Sequence, residues 1–171
     1  MRIHNVSPGL LTIPPNGWGA IEKIIWNYHN TLLKLGHDSN ICVLNDLDYR
    51  KGDIVHIHVA NLALEAHERG IPYYFTCSDH HIILSGKESF IYKQNKEAAE
   101  KSIKTFVASE FLISYFNLPN VAYLQHGIDR DYFTPKQASK NPEKLLCVAG
   151  NGYLTDKAYD RKGLSYAINA A

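Results

Sequence analysis

Cysteine is scarce in this chain, with three in 171 residues, at Cys42, Cys77 and Cys147, and no Cys-x-x-Cys pair. Each lies in or beside an apolar run, which points to buried reduced thiols rather than a disulfide framework or a zinc site. An excess of either charge is also missing. Lys plus Arg number 18 and Asp plus Glu 17, a formal charge of +1. That balance argues against a nucleic-acid footprint and against an acidic tail. Long apolar runs are absent as well, none approaching the ~20 residues of a membrane-spanning helix. His4, Asn5, Pro8 and Gly9 break up the N-terminus before any stretch of signal-peptide length. These absences lead to the expectation of a soluble, cytoplasmic protein with at most peripheral membrane contact.

What is present is an alternation of short apolar runs and longer amphipathic ones. Strands are expected at residues 1–7, 40–44, 53–58, 72–77, 105–108 and 121–124. Helices are expected at 18–35, 60–69, 87–101 and 110–116, with Gly36 and Gly70 as stops. In the first helix Ile21, Ile24, Ile25, Tyr28, Leu32 and Leu35 recur at helical spacing. Strands and helices taking turns, with apolar strands, predict an α/β fold: a Rossmann-like, doubly wound parallel sheet covered on both faces. Residues 1–135 are read as this domain. Residues 136–144, rich in polar residues and lysine, are read as a linker. Residues 145–171 are read as the first strand and helix of a second, incomplete domain, since one strand and one helix cannot make a core.

In an open parallel sheet ligands bind beyond the carboxyl ends of the strands. Four loops are selected by that rule, at residues 8–19, 58–61, 77–86 and 125–129. The first ends in Asn16-Gly17-Trp18-Gly19 at a helix start, where backbone N–H groups can approach a phosphate; the same glycines would also serve any tight turn. The spacing is neither that of a dinucleotide fingerprint nor that of a P-loop. His56 and His58 point the same way from one strand. No carboxylate or thiol accompanies them at ligand spacing, so no metal is expected. His56 reads as a hydrogen-bonded histidine within the sheet and His58, at the strand's carboxyl end, as a substrate contact. Asp79, His80 and His81 follow the fourth strand, where a histidine can donate to a hydroxyl or a phosphate; either histidine could face the cleft. The lysines between 87 and 104 alternate with glutamates and read as a solvated helix face.

Taken in order, five stretches resemble the N-terminal part of retaining GT-B glycosyltransferases of family 4. "PPNGWGAIEKIIWNYHNTLLKLGHDSNIC" resembles the family's Gly-Gly loop, long helix and following strand. "GDIVHIHVAN" is similar to its D-V-V-H-x-H, and "PYYFTCSDHH" to its fourth-strand T-x-H segment. "LQHGIDRDYFTP" resembles N-G-V-D-x-x-x-F-x-P. "LLCVAGNGYLTDKAYDRKGLSYAINAA" resembles the opening of the donor-binding domain. The resemblance implies transfer of a sugar from a nucleotide-sugar donor to a glycan, lipid-linked or small-molecule acceptor. Configuration is retained, with no metal and no cofactor beyond the nucleotide sugar itself.

It implies Gly17 and Gly19 near the donor phosphates, with Lys162 and Arg161 neutralising the diphosphate. Asn151 stands where the family has arginine, and Arg161 would compensate. It implies His58, Trp18 and Asn16 on the acceptor side. The catalytic group would be Asp79, His80 and His81, Ser78 standing where the family often has histidine. On this reading the chain is an N-terminal fragment that lacks its C-terminal domain as a partner and turns over little alone. A non-catalytic Rossmann-like binding module is the alternative, or another GT-B-type enzyme such as an inverting transferase or sugar-nucleotide epimerase.

Overall fold

In the computed structural model the six apolar runs lie side by side as one parallel sheet. The structure describes residues 1–17, 19–78 and 81–127, the side chain of residue 81 aside. The strands are β1 (Arg2–Ser7), β2 (Asp38–Val43), β3 (Ile54–Ile57), β4 (Tyr74–Cys77), β5 (Lys104–Val107) and β6 (Val121–Tyr123). The helices are α1 (Ala20–Lys34), α2 (Ala60–Glu68), α3 (His81–Leu84), α4 (Phe90–Lys101) and α5 (Glu110–Phe116). The spatial order is β2-β1-β3-β4-β5-β6 and every pairing is parallel. The chain therefore winds outward one way to β2 and the other way through β3 to β6. The reversal leaves a topological switch point between β1 and β3, with all carboxyl ends on one side.

Register assigns the side chains to faces. Ile3 lies opposite Ile54 and Asn5 opposite His56, and His56 in turn lies opposite Tyr74. Alternation then places Val6, Val55, Ile57, Phe75, Cys77, Val107 and Val121 on the other face, where all are buried. That face packs against α2, α4 and α5, whose Ala63, Ala66, Ala98, Ala99, Leu112 and Phe116 complete one core cluster. Alanines on α2 and α4 allow those two helices to approach closely.

α1 covers the first face over β1 and β2, burying Ile25. Between helix and sheet lies a polar layer. The Asn5 amide donates to Ser39 Oγ (3.1 Å), and His29 Nδ1 meets the same hydroxyl at 3.0 Å. At the opposite, amino-terminal edge, Arg2 Nε donates to Asp53 (3.0 Å) and His4 Nε2 meets the same carboxylate at 3.1 Å, tying β1 to the turn before β3.

Element ends differ from the sequence expectations for local reasons. α4 begins at Phe90, not residue 87, because the Ser89 hydroxyl accepts from the Tyr92 N–H at 3.1 Å and so caps the helix. A short helix, α3, occupies part of the expected loop at 77–86, with Ile82 fully buried. α1 ends in a Schellman turn: His37 N–H donates to Leu32 O and Gly36 N–H to Leu33 O, with Gly36 at φ +80°. Leu35 is the cap residue and is 67% exposed, so it does not extend the apolar stripe as its spacing suggested. The lysine-rich face of α4 is solvated as expected, with exposed Lys93–Glu88, Lys96–Glu100 and Lys101–Glu97 pairs. No helix among the described residues is long and apolar enough to cross a membrane.

Candidate functional site

The crevice at the switch point is bounded by the loop after β1 and by the segment after β3. The β1 loop passes through a cis Ile13–Pro14 bond to Asn16 and Gly17, both exposed. Gly17 (φ +95°) has open space around it. Gly19 (φ +125°) caps α1 and is enclosed: a Cβ there would fall 3.1 Å from Glu22 Oε2 and Leu11 Cδ1 and 3.2 Å from Pro15 Cβ. Conformation thus calls for glycine at 19, and the tight space adds to that preference.

Glu22 sharpens the expectation of phosphate contact. It is buried in the first turn of α1, beside Gly19, and its carboxylate already supplies the negative charge that a helix N-terminus favours. That charge opposes a phosphate at the helix end itself.

His58 follows β3 directly and is 3% exposed. Its ring lies 4.3 Å from that of His56 and 5.9 Å from that of Tyr28, centroid to centroid, and Tyr28 stacks over His56 at 5.6 Å. His56 Nε2 meets Thr76 Oγ1 at 2.7 Å, the expected hydrogen-bonded histidine within the sheet. Neither ring nitrogen of His58 has a partner. Burial pushes His56 down from its ordinary value to about 4. Burial, then the neighbouring His56 and His126, push His58 well below its ordinary value. Both imidazoles are therefore neutral near physiological pH.

His126 was not singled out from the sequence, although its loop was. The chain after β6 brings it to α1, where its Nδ1 meets the Tyr28 hydroxyl at 3.4 Å. The signal available was its position beyond a strand's carboxyl end; proximity to β3 depends on the return of the chain, which periodicity does not encode. Asn5 was missed too, and Ser78 was noted only for standing where the family often has histidine. The Asn5 side chain is fully buried with Oδ1 unpartnered, and the buried Ser78 Oγ, just past β4, is unpartnered as well.

On the same face, Ile3, Tyr28, Thr31, Leu32, Ile54, His56, Tyr74 and Phe106 line a largely apolar groove of about 370 Å³. It adjoins His58 through His56 and Tyr28.

The chain matches no protein-family model, and no curated protein matches it. Among the expected site residues, the structure brings the Gly17–Gly19 loop and His58 to adjacent strand ends at the switch point. Asn16 shares that loop. Trp18, Asp79, His80, the His81 side chain, Arg161 and Lys162 lie outside the described residues, as do residues 128–171, including the expected linker and second domain. Among the described residues no cluster of three or more His, Cys, Asp or Glu could hold a metal ion.

Proposed function

We propose that the chain is the acceptor-side part of a retaining glycosyltransferase that moves a sugar from a nucleotide-sugar donor to a glycan, lipid-linked or small-molecule acceptor in the cytoplasm. The observation that carries this reading is the switch-point crevice. There the chain after β1 leads to a glycine loop at the start of α1, and the neighbouring strand β3 ends in a buried, neutral histidine whose ring nitrogens are unpartnered. The ordered resemblance of five sequence segments to family 4 of the GT-B enzymes supports it.

In such a reaction negative charge grows on the leaving nucleoside diphosphate. Loop N–H groups near Gly17, with Lys162 and Arg161, would stabilise that charge without a metal. His58 would hold the acceptor. Asp79, His80 and His81, which follow β4 in the sequence, would act at the sugar.

The test is transfer from radiolabelled nucleotide sugars by the full-length protein, with the product anomer read by NMR. Retained configuration and loss of most turnover in the His80→Ala/His81→Ala variant are the expected results. Turnover unchanged in that variant removes the two histidines from the site. An inverted product points to an inverting transferase. Absence of sugar-nucleotide binding by calorimetry ends the transferase reading and leaves a non-catalytic module.

A further inference from the structure

The two faces of the sheet are covered unequally. α2, α4 and α5 pack on one face, while α1 lies over only β1 and β2 on the other. Among the described residues no helix covers β3, β4 and β5 on the α1 side. The apolar groove of about 370 Å³ occupies the angle between the flank of α1 and this open half. Its volume falls within the ~300–1,000 Å³ of small-molecule sites. Tyr28, Thr31 and Leu32 form its wall, and Ile54, His56, Tyr74 and Phe106 most of its floor. The floor is largely aromatic: Tyr74 stacks on Phe106 at 6.4 Å and His56 meets the edge of Phe106 at 6.3 Å.

The lining offers an occupant few hydrogen bonds. His56 Nε2 is held by Thr76 Oγ1, and the Tyr28 hydroxyl meets His126 Nδ1. β3, β4 and β5 each have a neighbour on both sides, so their backbone groups are committed to the sheet. A sugar or a nucleotide would bury polar groups here without partners. A peptide strand would find no free edge to extend.

One charge stands at the rim. Lys104 lies opposite Tyr74 in register and two residues before Phe106. Alternation therefore sets it on the groove's face, one strand spacing of ~4.8 Å from Tyr74. It is half-buried. Lys93, Lys96 and Lys101 on α4 each pair with a glutamate, whereas among the described residues Lys104 has no carboxylate partner. The complement of an apolar trough with an unpaired ammonium at one end is a hydrocarbon chain that ends in an anion. A second copy in an isologous pair would present this same face, whose lining holds no acid to meet Lys104.

We infer that the groove binds a free single-chain fatty acid, its alkyl chain along Ile54, His56, Tyr74 and Phe106 and its carboxylate at Lys104. Ile54, Tyr74 and Lys104 are the first residues of their strands. The carboxylate end therefore lies at the amino-terminal edge of the sheet, opposite the crevice. This site goes beyond the proposed function and does not depend on it.

The experiment is titration calorimetry of the full-length protein at neutral pH with octanoate, 1-octanol and acetate. Saturable octanoate binding is expected, with octanol about fivefold weaker, the equivalent of one partly exposed ion pair, and no heat of binding from acetate. Lys104→Ala should weaken octanoate about fivefold and leave octanol unchanged. Thr31→Trp places a large ring at an exposed lining position of α1 and should abolish binding of both. Both substitutions are outside the core, so melting temperatures close to that of the unaltered protein are expected and show that the fold is kept.

No binding of octanoate, equal affinity for octanoate and octanol, or binding retained in Thr31→Trp overturns the inference. So does a dimer in sedimentation that Thr31→Trp converts to monomer, which assigns the groove to a second copy. The outcome is separable from that of the transfer assay, because neither Lys104 nor Thr31 belongs to the crevice: octanoate binding without sugar transfer keeps this site and removes the transferase.

Discussion

Gly19 shows how much one residue constrains the site. Its φ of +125° strains any other residue there, and three side-chain atoms within about 3 Å of a would-be Cβ would have to give way. Gly19→Ala should cost about 1–3 kcal/mol, the range for a residue forced into a sparsely populated backbone region. Gly17→Ala, with open space around it, should cost less. Urea denaturation of the two variants checks this, and an equal loss would show that packing against Leu11, Pro15 and Glu22 contributes nothing. At this scale the sequence was informative about residue type and silent about partners. The glycines, His56 and His58 stood out by kind and spacing. His126 beside Tyr28 and the amide of Asn5 did not, because each gains its meaning from a segment distant along the chain.

Helices and strands were legible because their periodicity is local. Among the described residues, the six strands and four of the five α-helices follow the expected order, and the departures lie at ends, where caps decide. Ser89→Ala should destabilise the protein by about 1 kcal/mol through loss of the α4 N-cap, read as a lowered melting temperature. Close contact between α2 and α4 depends on alanines that the periodicity marks only as apolar. Ala98→Leu should cost about 1–3 kcal/mol by overpacking, with Ala98→Gly as the comparison that removes volume instead. A stability gain in Ala98→Leu would mean that space exists between these helices. α3 was not foreseen, since four residues are too few to show a helical period; burial of Ile82 gives it a packing role.

For the molecule as a whole, pH divides the stabilising groups into two windows. His56 is held neutral by burial, with its folded value lowered to about 4. The unfolded chain binds protons at an ordinary histidine value near ~6.5, so stability is fully present above that pH and falls as pH drops toward 4. His58 acts in the same direction. Asp53 works in a lower window. Its hydrogen bonds from Arg2, then from the Arg50 backbone N–H and His4, hold its carboxyl below the ordinary range. Its contribution is therefore present above the usual carboxylate value and lost only in stronger acid. Thermal melts across pH should show a first decline, flattened in a His56→Gln/His58→Gln variant, and a second in stronger acid, flattened in Asp53→Asn. A melting temperature constant from neutral pH down to about 4 would contradict the assigned burial of the histidines.

The sequence by itself determined the fold class. Apolar strands alternating with amphipathic helices can bury both strand faces only as a parallel sheet between helical layers. It also determined which loops lie at the carboxyl ends, since parallel strands share one direction. It did not determine strand order. That β3 lies beside β1, which sets the switch point of the sheet, follows from which faces pack together, and packing is a property of the assembled chain. The same holds for the chemistry of the crevice. A histidine's type is written in the sequence, but its neutrality and its unmet hydrogen bonds arise from burial, and burial depends on everything folded around it.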